Sequence, residues 1–135
     1  MNATPGDGGP YPYTVDIEQA TLDNENYRTT VWTGKYLQMT LMCIPPGQDI
    51  GLEVHEDHDQ FLRIEQGTGR VQMGPAADQL GFDERVEDDW AIIVPAGSWH
   101  NVTNVGDTDL KLYSIYAPPE HPHGTVHPTK ADAAE

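Results

Sequence analysis

Residues 53–67 read EVHEDHDQFLRIEQG, and this stretch decides the fold of the chain. Glu53 and His55 share parity, so both side chains point to the same face of an extended strand. An acidic turn then reverses the chain and brings Gln60 back beside His55. Beyond Gln60 the same face becomes apolar, beginning with Leu62. The inner face therefore changes from polar near the turn to apolar deeper in, as in a β-barrel with a wet mouth and a packed floor.

A second stretch, PAGSWHN at residues 95–101, follows the apolar run WAIIV. Pro95 and Gly97 form a turn that ends one buried strand and starts another at His100. With strands and turns placed in this way, one small cavity receives four polar side chains: Glu53, His55, Gln60 and His100. Two imidazole nitrogens, one carboxylate and one amide oxygen are suitable ligands for a single divalent transition metal.

Short strands punctuated by Gly and Pro run through most of the 135 residues and predict an all-β sandwich or barrel,. The predicted strands cover residues 36–44, 50–55, 60–64, 70–73, 82–86, 90–94, 99–105 and 110–116. No window shows an apolar period of 3.6 residues, although a turn of helix could lie near either terminus. We expect one domain, with a disordered tail over residues 1–12, a barrel over residues 13–118 and an extended segment over residues 119–135.

Acidic residues dominate the charge: there are 22 against seven basic ones, a formal net charge of −15. Such a surface repels nucleic-acid phosphates and anionic lipid, so neither is an expected partner. The charge favours solubility and also suits a host with a salty cytoplasm. No apolar run reaches the ~20 residues that span a bilayer, and the N-terminus lacks the features of a secretory signal, so we expect a cytoplasmic protein. The single Cys43 excludes an internal disulfide.

The two stretches resemble the two sequence motifs of the cupin superfamily. The first motif is met by Gly47, Glu53, His55, Gln60 and Gly67, and the second by Asp89, Pro95, Gly97, His100 and Asn104. The chain is also similar to small single-domain bacterial cupins, often labelled mannose-6-phosphate isomerase-like. The resemblance implies a double-stranded β-helix (jelly-roll) barrel and a homodimer. Glu53 stands at the family's usual first histidine and Gln60 at its usual glutamate, so one carboxylate is kept and one imidazole is lost.

The predicted ligands and the resemblance together favour an enzyme that acts on a small polar substrate. In the leading hypothesis Zn, Mn, Fe or Ni is a Lewis acid on a carbonyl group of a sugar-like compound, as in aldose–ketose isomerisation, with Glu53 the candidate catalytic residue. An Fe(II) dioxygenase is the alternative, and a cupin that only binds a small molecule is the third. The net charge disfavours a sugar phosphate unless Arg28, Lys35 or Arg63 lines the mouth.

Histidines and aromatic residues outside the motifs have other expected roles. His58, in the acidic turn, is expected to face solvent. The run containing His121, His123 and His127 also holds prolines and a glycine, which favours an extended segment across the barrel, as a cover or subunit contact, over metal delivery. Four aromatic side chains are expected to pack a barrel edge or a dimer seam: Tyr11, Tyr13, Trp32 and Tyr36.

Overall fold

The computed structural model describes residues 6–133, and β-strands make up most of the regular structure in this range. The strands are β1 (Arg28–Thr33), β2 (Gln38–Ile44), β3 (Asp59–Gln66), β4 (Gly69–Gly74), β5 (Phe82–Val86), β6 (Ala91–Val94), β7 (Trp99–Asn104), β8 (Leu110–Ala117) and β9 (Val126–His127). Two short helices flank them, α1 (Ile17–Asp23) and α2 (Lys130–Ala133). No helix within the described range is long and apolar enough to cross a membrane.

The strands form two antiparallel sheets around one core. The larger sheet has six strands in the order β6-β3-β8-β2-β1-β9, and the smaller has three in the order β5-β4-β7. Buried apolar side chains from both sheets form a single cluster: Tyr27, Met42, Ile44, Ile50, Leu62, Ile64, Val71, Met73, Val86, Ile92, Val94, Val102, Leu110 and Leu112. This arrangement confirms the all-β, single-domain jelly-roll barrel predicted from the sequence.

The inner face of the larger sheet is polar at one end and apolar at the other, as predicted. Gln38, Tyr116 and Gln60 lie side by side across β2, β8 and β3, and all three are buried. Four residues further in, the same strands carry an apolar row of Met42, Leu112 and Ile64. The polar row marks the end of the barrel at which Gln60, one of the side chains predicted as ligands, lies.

Helix α1 lies in a region that the sequence predicts to be irregular. Asp16 caps it, its side chain accepting a hydrogen bond of 3.2 Å from the backbone N–H of Gln19,. At the other end, Nζ of Lys111 donates to the free carbonyl oxygen of Leu22 at 2.6 Å,. Seven residues are too few to show a clear helical period, and such a short helix is stable only because it packs against the outer face of β8 and β3,.

Residues 50–55, predicted as a strand, form an extended loop instead. Gly51 has a positive φ of 90°, which interrupts the strand conformation,. Further along, Glu53 and His100 exchange backbone hydrogen bonds of 3.0 and 2.9 Å as an isolated bridge. The strand prediction was wrong, but the bridge still places Glu53 directly opposite His100.

The N-terminal segment contacts both strand β1 and the C-terminal part of the chain. A disordered tail is predicted for residues 1–12, of which residues 1–5 lie outside the described residues. In the remainder, the buried carboxylate of Asp7 accepts hydrogen bonds from the backbone N–H of Thr33 at 2.8 Å and of Gly124 at 3.0 Å. One buried carboxylate therefore anchors a stretch whose Gly and Pro content resembles that of a free tail.

Residues 119–128, called the strap below, run back across β2 and β1. Gln38 accepts a hydrogen bond of 2.9 Å from the backbone N–H of His121 and donates one of 2.7 Å to its carbonyl oxygen. Further along, β9 pairs with β1 and places His127 opposite Arg28. The C-terminal histidines thus belong to an extended segment that lies on this chain's own barrel.

Candidate metal centre

Glu53, His55 and His100 meet at the polar end of the barrel. Oε2 of Glu53 lies 3.5 Å from Nε2 of His55 and 3.5 Å from Nε2 of His100. The centroids of the two imidazole rings are 5.4 Å apart. His100 is completely buried on β7, and the side chain of His55 is 10% exposed. The structure brings together three of the four side chains predicted as ligands.

The spacing of these three atoms suits a shared cation better than hydrogen bonds among them. A separation of 3.5 Å is long for an N–H···O bond. Both Nε2 atoms are buried, and neither has a hydrogen-bond partner among the described residues. Donors that share a metal at about 2.0–2.2 Å stand about 2.9–3.5 Å apart. The residues present therefore fit a divalent transition metal, which would satisfy both orphaned nitrogens.

Acceptors at the opposite ring nitrogens orient the two imidazoles. Nδ1 of His100 lies 3.0 Å from the carbonyl oxygen of Ser98. Nδ1 of His55 lies 3.6 Å from Oε1 of Glu120, at the start of the strap. A proton on each Nδ1 leaves the Nε2 lone pair free for a metal. The contact with Glu120 is long for a hydrogen bond, so Glu120 acts on His55 mainly through its charge.

The charges of the cluster are set by its own members. Burial raises the pKa of Glu53, but the adjacent imidazoles of His100 and His55 outweigh that effect and lower it to about 2. Glu53 is therefore a carboxylate at neutral pH. Contact with that carboxylate raises the pKa of His55. The negative charge of Glu53, which favours protonation of His55, would also attract a metal cation.

Comparison with known proteins identifies the family of this chain. A family model described as "Cupin domain" matches residues 40–116. The chain belongs to the cupin family. The matched range contains all three clustered side chains, whereas the strap follows it. The part of the cupin that carries the candidate centre is thus the part that defines the family.

Two curated relatives and one solved structure are similar to this cupin over most of its length. YrkC, an uncharacterized protein of Bacillus subtilis (strain 168), is 62% identical over 127 residues, covering 94% of this chain and 68% of YrkC. An uncharacterized protein of Acanthamoeba polyphaga mimivirus is 39% identical over 115 residues, covering 84% of this chain and 70% of that protein. The crystal structure of BH2720 from Bacillus halodurans is 60% identical, with a TM-score of 0.94 and coverage of 95% and 97% of the two chains.

Gln60, the fourth predicted ligand, is buried on β3 of the cupin barrel. Its Nε2 donates a hydrogen bond of 2.8 Å to Oγ of Ser114. Its Oε1 is buried without a hydrogen-bond partner among the described residues. The bond to Ser114 fixes the amide, so the oxygen is held ready to accept a hydrogen bond or to bind a cation.

His58 does not face solvent, and that prediction was wrong. Its side chain is 12% exposed, and its Nε2 lies 3.0 Å from the carbonyl oxygen of Pro119 and 3.4 Å from Oε1 of Glu120. His55, His58 and Glu120 form a second group with spacing that a metal could use. Because Nε2 of His58 already faces a carbonyl oxygen, we interpret this group as the attachment of the strap to the acidic turn and as support for His55.

Two further polar side chains lie at the site although the motifs do not contain them. The ring of Tyr116 packs edge-on against His55 at 5.9 Å and against His121 of the strap at 5.3 Å, between centroids. Burial raises the pKa of Tyr116 to about 12 and lowers the pKa of His121 to about 4, so both are neutral at pH 7. Nε2 of His121 is buried without a hydrogen-bond partner in the described range.

Of the three cations considered for the mouth, Arg28 alone points into the barrel. It is 7% exposed on the inner face of β1. Arg63 forms an ion pair of 2.8 Å with Glu65 on the outside of β3, and Lys35 lies over the ring of Tyr36 at 5.2 Å.

The residues that the sequence analysis did not place at the site share a common reason. Arg28 belongs to β1, a strand that the sequence pattern did not reveal. Glu120 and His121 belong to the strap, whose position depends on hydrogen bonds to the side chain of Gln38. The histidine-rich composition of the strap was a signal, but only the contact of its first histidine with Tyr116 separates that residue from the other two.

Proposed function

We propose that this cupin is a metal-dependent enzyme that acts on a small polar substrate with a carbonyl group, in an isomerase-type reaction. The observation that carries the proposal is the pair of buried, unpartnered Nε2 atoms on His55 and His100, each 3.5 Å from the carboxylate of Glu53. Three protein ligands leave coordination positions open. A divalent ion such as Zn, Mn, Fe or Ni supplies Lewis acidity toward the carbonyl oxygen.

Different side chains around the centre serve metal binding and proton transfer. Glu53, ionised at neutral pH, holds the cation and is therefore less available as a base than the sequence alone indicates. His121 is neutral, and its buried Nε2 is the candidate to accept a proton from the carbon beside the carbonyl group,. The free Oε1 of Gln60 would accept a hydrogen bond from a substrate hydroxyl group.

An Fe(II)-dependent dioxygenase is the second candidate. Two histidines and one carboxylate, the composition of the Glu53, His55 and His100 cluster, are also the ligands of many non-haem Fe(II) oxygenases,. A small-molecule-binding cupin without catalysis is the third candidate. The metal that the protein retains distinguishes the three.

Elemental analysis of protein purified without a His-tag tests the proposal. We expect about one zinc, manganese or nickel ion per chain, and metal-dependent exchange of the carbon-bound hydrogens of dihydroxyacetone in D₂O, followed by NMR. Iron together with oxygen consumption would replace the isomerase by the dioxygenase. Failure to bind any of these metals, including after loading of the stripped protein, would leave only the binding function. The control variant is His123→Ala, which removes a partly exposed side chain away from the cluster.

We also propose that the cupin forms a homodimer through the side of the barrel that carries its N-terminal aromatic residues. Tyr11 and Tyr36 are 71% and 70% exposed. Trp32 fixes the position of Tyr11, since its indole N–H donates to the carbonyl oxygen of Tyr11 at 2.8 Å. Light scattering should give twice the chain mass, and Tyr36→Ser should shift the equilibrium toward monomer. A monomeric wild-type protein at micromolar concentration would contradict this proposal.

A further inference from the structure

Arg28 is a buried cation with no counter-charge among the described residues. Its side chain is on the inner face of the barrel, and no described carboxylate lies within ion-pair distance of it. Its contacts are Nδ1 of His127, 3.2 Å from Nη1, and the ring of Tyr27, whose centroid is 5.2 Å from the guanidinium carbon. The Nε atom is buried and has no hydrogen-bond partner in the described range. Burying an arginine in this way is costly unless an anion completes the site.

A second unpartnered group lies on the strand next to β1. Thr40 on β2 is completely buried, and its Oγ1 has no hydrogen-bond partner among the described residues. The register of β1 and β2 pairs Arg28 with Met42 and Thr30 with Thr40. Thr40 is therefore the diagonal neighbour of Arg28 on the inner face, within reach of a long side chain. The Nε–H group of Arg28 and the hydroxyl group of Thr40 are therefore both available to donate hydrogen bonds to a small anion.

Arg28 and the candidate metal centre share one interior. Thr40 pairs with Ser114 on β8, whose Oγ accepts the hydrogen bond from Gln60, and Tyr116 follows two residues further along the same face of β8. Tyr116 in turn contacts His55 of the metal centre. A small molecule that reaches the metal therefore lies in the field of Arg28 as well.

We propose that Arg28 and Thr40 bind the carboxylate of a small oxo or hydroxy acid whose carbonyl or hydroxyl group lies at Glu53, His55 and His100. The inference rests on the proposed function and names its substrate class. A guanidinium matches a carboxylate with two parallel hydrogen bonds. A phosphate group carries close to two negative charges at neutral pH, which a single arginine does not balance.

Pyruvate and hydroxyacetone form a matched pair of probes, because both are small ketones and only pyruvate carries a carboxylate. Calorimetric titration of the metal-loaded protein should show that Arg28→Gln weakens pyruvate binding at least tenfold and changes hydroxyacetone binding less than twofold. Thr40→Val should weaken pyruvate binding several-fold. Arg63→Gln, an arginine on the outer face, should change neither. Equal loss of both probes in Arg28→Gln, or no loss of either, would overturn the inference.

Two further measurements separate this inference from folding defects and from the proposed function. In the unmodified protein, the ¹H–¹⁵N signal of Arg28 Nε should shift with pyruvate and stay in place with hydroxyacetone, which requires no variant. The same titration of metal-free protein tests Arg28 even if the metal proposal fails, whereas metal content measured on each variant tests the centre alone. Tighter, Arg28-dependent binding of dihydroxyacetone phosphate than of pyruvate would overturn the carboxylate assignment in favour of a phosphate.

Discussion

His55 and His100 reach one point from distant parts of the chain, and each is oriented differently. The main-chain carbonyl of Ser98, two residues away, orients the ring of His100. Local structure therefore fixes the imidazole of His100. Glu120 of the strap provides the carboxylate near His55. The orientation of the His55 imidazole therefore depends on a tertiary contact. At the residue scale, the candidate centre therefore has one rigidly held imidazole and one whose position depends on the strap.

Removing either imidazole should abolish stoichiometric metal binding. His55→Ala and His100→Ala each leave two of three clustered donors, and we expect less than a tenth of the wild-type metal content by elemental analysis. His123→Ala is the matched control, since its Nε2 contacts the carbonyl oxygen of Gly9 rather than the cluster. Loss of the metal from the control and its retention in His55→Ala would show that the strap holds the ion.

Neutralising Glu120 should weaken the metal site without removing a ligand. Glu120→Gln keeps the size of the side chain but removes the charge beside Nδ1 of His55. We expect metal affinity to fall about 10- to 100-fold, as for other carboxylates behind a ligating histidine. Competition with a chromogenic chelator measures the change. An unchanged affinity would mean that Glu120 serves only to attach the strap to His58.

At the element scale, Asp7 ties three segments together. Its carboxylate accepts hydrogen bonds from β1 and from the strap while belonging to the N-terminal segment itself. Burial raises the pKa of Asp7, but hydrogen bonds from Thr33, Gly9 and Gly124 outweigh it and lower the pKa below its usual value. The strap that carries His121 is therefore held at one end by Gln38 and at the other by a buried ionised group.

Asp7→Asn should lower the free energy of unfolding by about 1.5–3 kcal/mol at pH 7, the range for hydrogen bonds to a charged group. Because the folded-state pKa is lowered, this stabilisation is present above the unfolded pKa of about 3.9 and is lost as pH falls through the folded value. Urea unfolding at pH 7 and near pH 3 should thus show the difference between variant and wild type shrinking in acid. The exposed Asp107→Asn is the control, and a difference that grows in acid would contradict the assignment.

At the scale of the whole molecule, the barrel should not need its metal to fold. Fourteen buried apolar side chains from both sheets form one cluster, whereas a zinc finger has no comparable core. Protein stripped with a chelator should keep its β-type circular dichroism and melt cooperatively, a few degrees lower because bound metal stabilises by mass action. Remetallated protein should bind a small chelating anion. Unfolding on stripping, with no anion binding after reloading, would make the site structural and the enzyme proposal wrong.

The sequence by itself determined the barrel and the clustering of three polar side chains at one end of it. Period-two alternation in β3 and Gly/Pro turns between short strands were sufficient for the all-β fold, because burial of alternate side chains is a local property of a strand. The same parity placed Glu53 with His55, and the second motif supplied His100. These are properties of segments of a few residues, and they hold even though residues 50–55 are a loop.

Only the tertiary structure decided what surrounds that centre. Helix α1 and strand β1 form because they pack against or pair with distant strands, so local sequence patterns do not predict them. Glu120 and His121 enter the site through the side chain of Gln38, which lies more than eighty positions away in sequence. Arg28 points inward because β1 pairs with β2 in one particular register. Such contacts depend on how the ends of the chain return to the barrel, and no periodicity within either end encodes that path.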